Sequence, residues 1–173
     1  MSLSYYQIMT FGQSLIAEFD QEMALTRKVI ARVPNGKGDW KPHSKSFSLA
    51  HLAQLVSSMP GWFTNMVTAT ELDLAKSPGY SVQTTEGLLA TFDRLVPEAR
   101  AAIVAANDAD IDVTWSLKHG SQVLYTATRR AVVRETISHL VHHRAQLTVY
   151  LRLLDVPVPS MYGPTADEPW GTK

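Results

Sequence analysis

The sequence predicts an all-α protein, a four-helix bundle with an irregular insert before the last helix and an extended C-terminal tail. Four segments repeat apolar residues every three or four positions, the period of an amphipathic helix. Clusters of proline and glycine punctuate them. With 45% hydrophobic and 18% charged residues the composition is that of a globular chain. Its 173 residues suffice to bury roughly two-thirds of the unfolded surface in one core, so residues 1–173 read as a single domain.

The first helix is expected from a cap near Ser4 to about Val33, with Leu15, Phe19, Met23, Thr26, Ile30 and Val33 on one face. "VPNGKGDWKPH" then stops it. The second begins at Ser46 or Ser48 and runs to about Thr70, turning Leu52, Leu55, Val56, Met59, Phe63 and Met66 inward. Pro60 lacks a backbone donor and clashes with the preceding turn, which predicts a kink or break there. "KSPGYS" closes this region, and Thr84 or Thr85 opens a third helix through Val104, with Pro97 a second interior proline able to bend it.

Residues 106–130 have no helical period; "VTWSL" and "QVLYT" around "KHGS" suit a short hairpin or an ordered loop. The fourth helix spans about Ala131 to Leu154, with Val133, Leu140, Leu147, Leu151 and Leu154 on its stripe. After it, Pro157, Pro159, Pro164 and Pro169 keep the tail extended. Long amphipathic helices joined this way favour a bundle.

Sixteen basic residues balance sixteen acidic ones, so neither nucleic acid nor an anionic membrane is an expected partner. Without cysteine there is no disulfide, thiolate ligand or cysteine nucleophile, and any metal must take nitrogen and oxygen donors. The N-terminus lacks the pattern of a signal peptide and no apolar run reaches the length of a membrane span, so the chain is expected to be soluble and cytoplasmic. Nucleotide-binding loops, a serine-hydrolase elbow and paired catalytic carboxylates find no match.

"ISHLVHHRAQLTVYLRLL", residues 137–154, sets His139, His142 and His143 into a helix. His139 and His143, four positions apart, point the same way and can share one ion. His142 projects about 100° from His143, towards solvent or a partner. The alternative is that His139 and His143 are satisfied polar residues at a core edge.

"HLVHHRAQL" followed by "YLRLLDVPVPSMYGPTADE" resembles the end of the DinB/YfiT-like family of four-helix-bundle proteins, whose last helix carries H-x-x-x-H-R-x-Q, matched by His139, His143, Arg144 and Gln146. "EFDQEMALTRKVIARVP" and "DWKPHSKSFSLAHLAQLVSSMPGW" resemble its first helix, first loop and second helix, and Arg130 falls where an arginine precedes the last helix. The resemblance implies one divalent metal, nickel or zinc, on three histidines, two from the last helix and one from the second. It further implies a homodimer and thiol-dependent transfer chemistry using a low-molecular-weight thiol such as bacillithiol, mycothiol or glutathione, with a small hydrolase also possible. Family membership constrains the fold more than the reaction.

The chain departs from that pattern at one ligand. The second-helix histidine ends a motif like S-x-x-x-L-x-x-H, and from Ser48 this position holds Leu55. His51 lies one turn earlier, displaced by about 6 Å along the axis, whereas a metal–nitrogen bond tolerates only a few tenths of an ångström. Three readings stay open. His51 replaces the missing ligand beside His139 and His143; or Glu135, Glu22 or water completes a weaker site; or the site has decayed and the bundle binds a small molecule or protein without metal.

Gln146, Glu135, Asp167 and Glu168 are candidate acceptors for ligating histidines. Arg144 suits a bridge to a carboxylate on a neighbouring helix or an anchor for the tail. His43 and His119 fall in loops, the latter able to rim a pocket if the insert folds over the bundle. Trp40, Trp62 and Trp115 are expected to clamp connections onto the core, and Tyr162 to pack the tail back.

Overall fold

The computed structural model describes residues 9–171; Ser4, expected to cap the first helix, lies outside them. Helix α1 spans Phe11–Ile30. Thr10 caps it reciprocally with Gln13, each side chain accepting from the other's backbone N–H. Val33, three residues past its end, still enters the core at 7% exposure.

The second helix is broken at Pro60, as its missing N–H requires. Helix α2 spans Leu49–Ser58 with Ser48 as its cap, and α3 spans Pro60–Thr68 with the proline at its first position, where no donor is needed. The hydroxyls of Ser57 and Ser58 donate to the carbonyls of Gln54 and Leu55 beside the break. Helix α4, Thr85–Ala105, starts from Thr84 and runs on through Pro97, which is exposed. A one-turn helix α5, Asp108–Ile111, follows. Helix α6, Arg129–Leu153, starts two residues before the expected Ala131 with Thr128 as cap. It ends in a Schellman turn: Asp155, at φ 57°, donates to the Arg152 carbonyl and Val156 to that of Leu151.

The expectation of an all-α chain is corrected by a three-stranded sheet. Strand β1, Glu71–Asp73, pairs in parallel with β2, Thr114–His119, and β2 pairs antiparallel with β3, Gln122–Thr128. The hairpin around "KHGS" is therefore present, its two-residue turn made possible by Gly120 at φ 60°. Asp73 ties β1 to that turn by accepting from the Gly120 N–H at 2.8 Å. The fold is thus mostly helical with a small added sheet.

Helices α1, α4 and α6 and the α2–α3 pair form the helical body, in which α4 and α6 each pack against α1 and against both α2 and α3. Phe19 and Phe63 meet edge to face at 5.3 Å in the fully buried centre. Gly12 lets α1 approach α4: a Cβ there would stand 2.3 Å from the Ile103 carbonyl oxygen. Among the described residues no helix is long and apolar enough to cross a membrane.

Candidate functional site

The four-residue spacing on α6 puts His139 and His143 on one face, and their Nε2 atoms stand 2.9 Å apart. The Oε1 of Gln146 lies 2.9 Å from His143 Nδ1, and its Nε2 lies 3.1 Å from His142 Nε2. An amide oxygen only accepts, so His143 carries its proton on Nδ1 and, when neutral, presents a lone pair on Nε2. His139 then donates from its own Nε2. Gln146, one of four candidate acceptors, is the one that orients the pair.

Burial holds His139 below the ordinary imidazole range, and the nearby His143 and His142 push the same way. Burial also lowers His143, partly opposed by its bond to Gln146. Near pH 7 the pair is therefore neutral.

The pair opens into a pocket of about 550 Å³. Its helical walls come from α2, α3, α6 and the loops before α2 and α4: Phe47 before α2, Leu55 on α2, Trp62 and Met66 on α3, Tyr80 before α4, and Val132 and Thr136 on α6. The sheet supplies Leu72, Trp115, Leu117 and Tyr125, so the insert does fold over the helices, although His119 does not reach the pocket. Trp115 is 2% exposed and its indole donates to Asn65 Oδ1, while Trp62 packs 5.7 Å from the His139 ring. Trp40, by contrast, clamps its loop against Tyr150.

His51 occupies a different setting. Its ring stacks between Phe47, at 4.1 Å, and Tyr80, at 3.5 Å. Burial lowers its pKa, with His143 and Lys41 adding to the effect. The position at which the family pattern places a histidine is filled by Leu55, 6% exposed in the pocket wall.

Two nitrogens each about 2.1 Å from one ion stand roughly 3.0–3.4 Å apart, and the 2.9 Å separation of His139 and His143 is close to that span. The donor set goes no further: among the described residues no group of three or more histidine or carboxylate side chains is placed to hold a metal. The residues present fit two ligands of an ion and do not fit a three-histidine centre.

The other candidates have other work. Glu22 is taken by Arg144, whose Nη2 lies 2.7 Å from its Oε2, and by the Tyr162 hydroxyl. Arg144 thus bridges to the neighbouring helix and anchors the tail at once. Asp167 pairs with Arg152 and accepts from the Val158 N–H; Glu168 pairs with Arg32 and accepts from the Ser160 N–H. Both fasten the tail rather than the histidines. His43 binds the backbone of its own loop at Lys45. Arg130 pairs with Asp112 and lies over Phe11, whereas its neighbour Arg129, not singled out from sequence, is buried and donates to the carbonyls of Ala69 and Asp110.

Glu135 lines the pocket one turn before His139 and accepts from the Tyr125 hydroxyl at 2.9 Å. Its spacing to His139 was visible in the sequence; its partner on β3 was not.

The sequence profile of the DinB family matches residues 4–172. No curated protein matches the chain. Among solved structures, a DinB-like protein from Bacillus subtilis is similar with a TM-score of 0.67 at 17% identity, over 86% of this chain and 97% of that one. A DinB-like protein from Bacillus cereus is similar with a TM-score of 0.65 at 15% identity, over 86% and 95%. At such identities the likeness is one of fold.

Proposed function

The chain belongs to the DinB family, and from that premise we propose that it is a binding member whose metal site is incomplete: a four-helix bundle, folded as one domain, that takes a small and mainly apolar molecule into the pocket beside His139 and His143. The observation that carries this reading is the wall at Leu55. A side chain without a donor occupies the third ligand position, while His51 is engaged by Phe47 and Tyr80. A concave apolar cavity of about 550 Å³ with a few convergent polar groups has the size and chemistry of a small-molecule site.

A second reading, a metal-dependent thiol transferase or small hydrolase, is favoured by the separation and neutrality of the histidine pair. Such an enzyme would hold its ion on His139 and His143 and draw the remaining donors from water or substrate. A divalent ion there would supply Lewis acidity, or hold a thiol as thiolate.

The test uses metal-free protein and a neutral probe, 4-phenylbutan-1-ol, followed by the indole N–H resonances of Trp62 and Trp115. Saturable shifts of both are expected. If neither responds, the pocket is not a binding site and the reading fails. Metal content after dialysis against nickel and then zinc, in the parent and in His143→Ala, decides the second reading: near one ion per chain, lost in the variant, would put it first.

A further inference from the structure

The pocket carries a charge pattern as well as a shape. Of its lining side chains only Glu135 is acidic, and lysine and arginine are absent from the wall. Glu135 has one hydrogen-bond partner, the Tyr125 hydroxyl, and among the described residues no cationic side chain pairs with it. Five aromatic rings, those of Phe47, Trp62, Tyr80, Trp115 and Tyr125, share the cavity. Ring faces carry the negative end of a quadrupole and attract cations, most strongly when water is excluded. A lone carboxylate among aromatic faces repels an anionic ligand and rewards a cationic one.

We propose that the pocket selects an apolar ligand bearing an ammonium group, the cation pairing with Glu135 and the apolar body lying against Trp62 and Trp115. This rests on the binding reading above and names its ligand class. The His139–His143 pair, one turn along α6, supplies a neutral polar end for a hydroxyl or carbonyl elsewhere on the same ligand.

Three probes of matched length test it at pH 7.5: 4-phenylbutylamine, 4-phenylbutan-1-ol and 4-phenylbutanoate, with dissociation constants read from the indole resonances. The amine should bind a few-fold tighter than the alcohol, the size of an ion pair with an exposed carboxylate, and the carboxylate more weakly than either. Glu135→Gln keeps an acceptor for Tyr125 at an exposed position and should bring the amine and alcohol affinities together. Equal affinities in the parent, or an amine preference that survives Glu135→Gln, would overturn the ligand class while leaving the binding reading intact. Silence from all three probes would remove the binding reading itself.

Discussion

Arg144 and Glu22 form an ion pair 2.7 Å long between α6 and α1, with side chains only 2% and 7% exposed. The arginine also donates to the Glu22 carbonyl and the Thr26 hydroxyl, and Tyr162 closes the group by donating to the carboxylate. Two charges this deep are stable only together. Glu22→Leu or Arg144→Met alone should therefore cost about 3–5 kcal/mol, because each strands the other charge. The double variant should recover much of that loss. Urea unfolding of all four proteins measures the coupling; strictly additive losses would show that the two residues contribute independently.

Leu55 and the histidine pair face the same cavity, so the missing ligand can be restored. Leu55→His places a third imidazole on the wall of the pocket that His139 and His143 also line. It should bind nickel or zinc near one per chain, with the metal lost again on His139→Ala. Dialysis followed by plasma mass spectrometry reads both. A variant that folds yet gains no metal would mean that α2 and α6 are misaligned for coordination, and that more than one substitution separates this chain from a three-histidine centre.

Much of the frame was legible from local rules. Of the paired alternatives, Ser48 rather than Ser46 and Thr84 rather than Thr85 cap their helices, Pro60 breaks its helix rather than kinking it, and "KHGS" turns a hairpin rather than a loop. Each signal lies within a few residues of the feature it specifies. Strand β1 escaped because three residues carry no period, and its partner strand lies more than forty positions away. The site divides the same way. The histidine pair follows from spacing on one helix, but the pocket is assembled from Phe47, Tyr80, Trp115 and Tyr125, which no local pattern joins. Arg144 was assigned a carboxylate on a neighbouring helix correctly in kind, while Glu22 in particular could be named only once the helices were packed.

The lowered pKa values of His51, His139 and His143 make stability depend on pH in a definite direction. Well above pH 6.5 these rings are neutral in both folded and unfolded chains and contribute nothing. Below it the unfolded chain takes up protons first, so stability falls with pH until the folded rings also titrate. The double variant His139→Gln, His143→Gln should show a shallower decline between pH 6.5 and 5 than the parent. Urea midpoints at half-unit steps give the two slopes, and identical slopes would assign the loss to other groups.

Gly12 sets two rules against each other. Inside α1, glycine is a poor helix former, and replacing it by alanine on an open helix face stabilises by up to about 1 kcal/mol. Here the added Cβ would stand 2.3 Å from the Ile103 carbonyl oxygen and 3.2 Å from its carbonyl carbon, both backbone atoms of α4. A flexible side chain could swing aside, but a helix backbone moves only with its neighbours. The packing term, about 1–3 kcal/mol for overfilling a close contact, should therefore outweigh propensity. Gly12→Ala is expected to be destabilising, and Gly12→Ser more so. Ala17→Gly, at an exposed position of the same helix, should lose only the propensity difference and serves as the reference. A Gly12→Ala protein with a higher urea midpoint than the parent would mean that α1 can move off α4 at little cost.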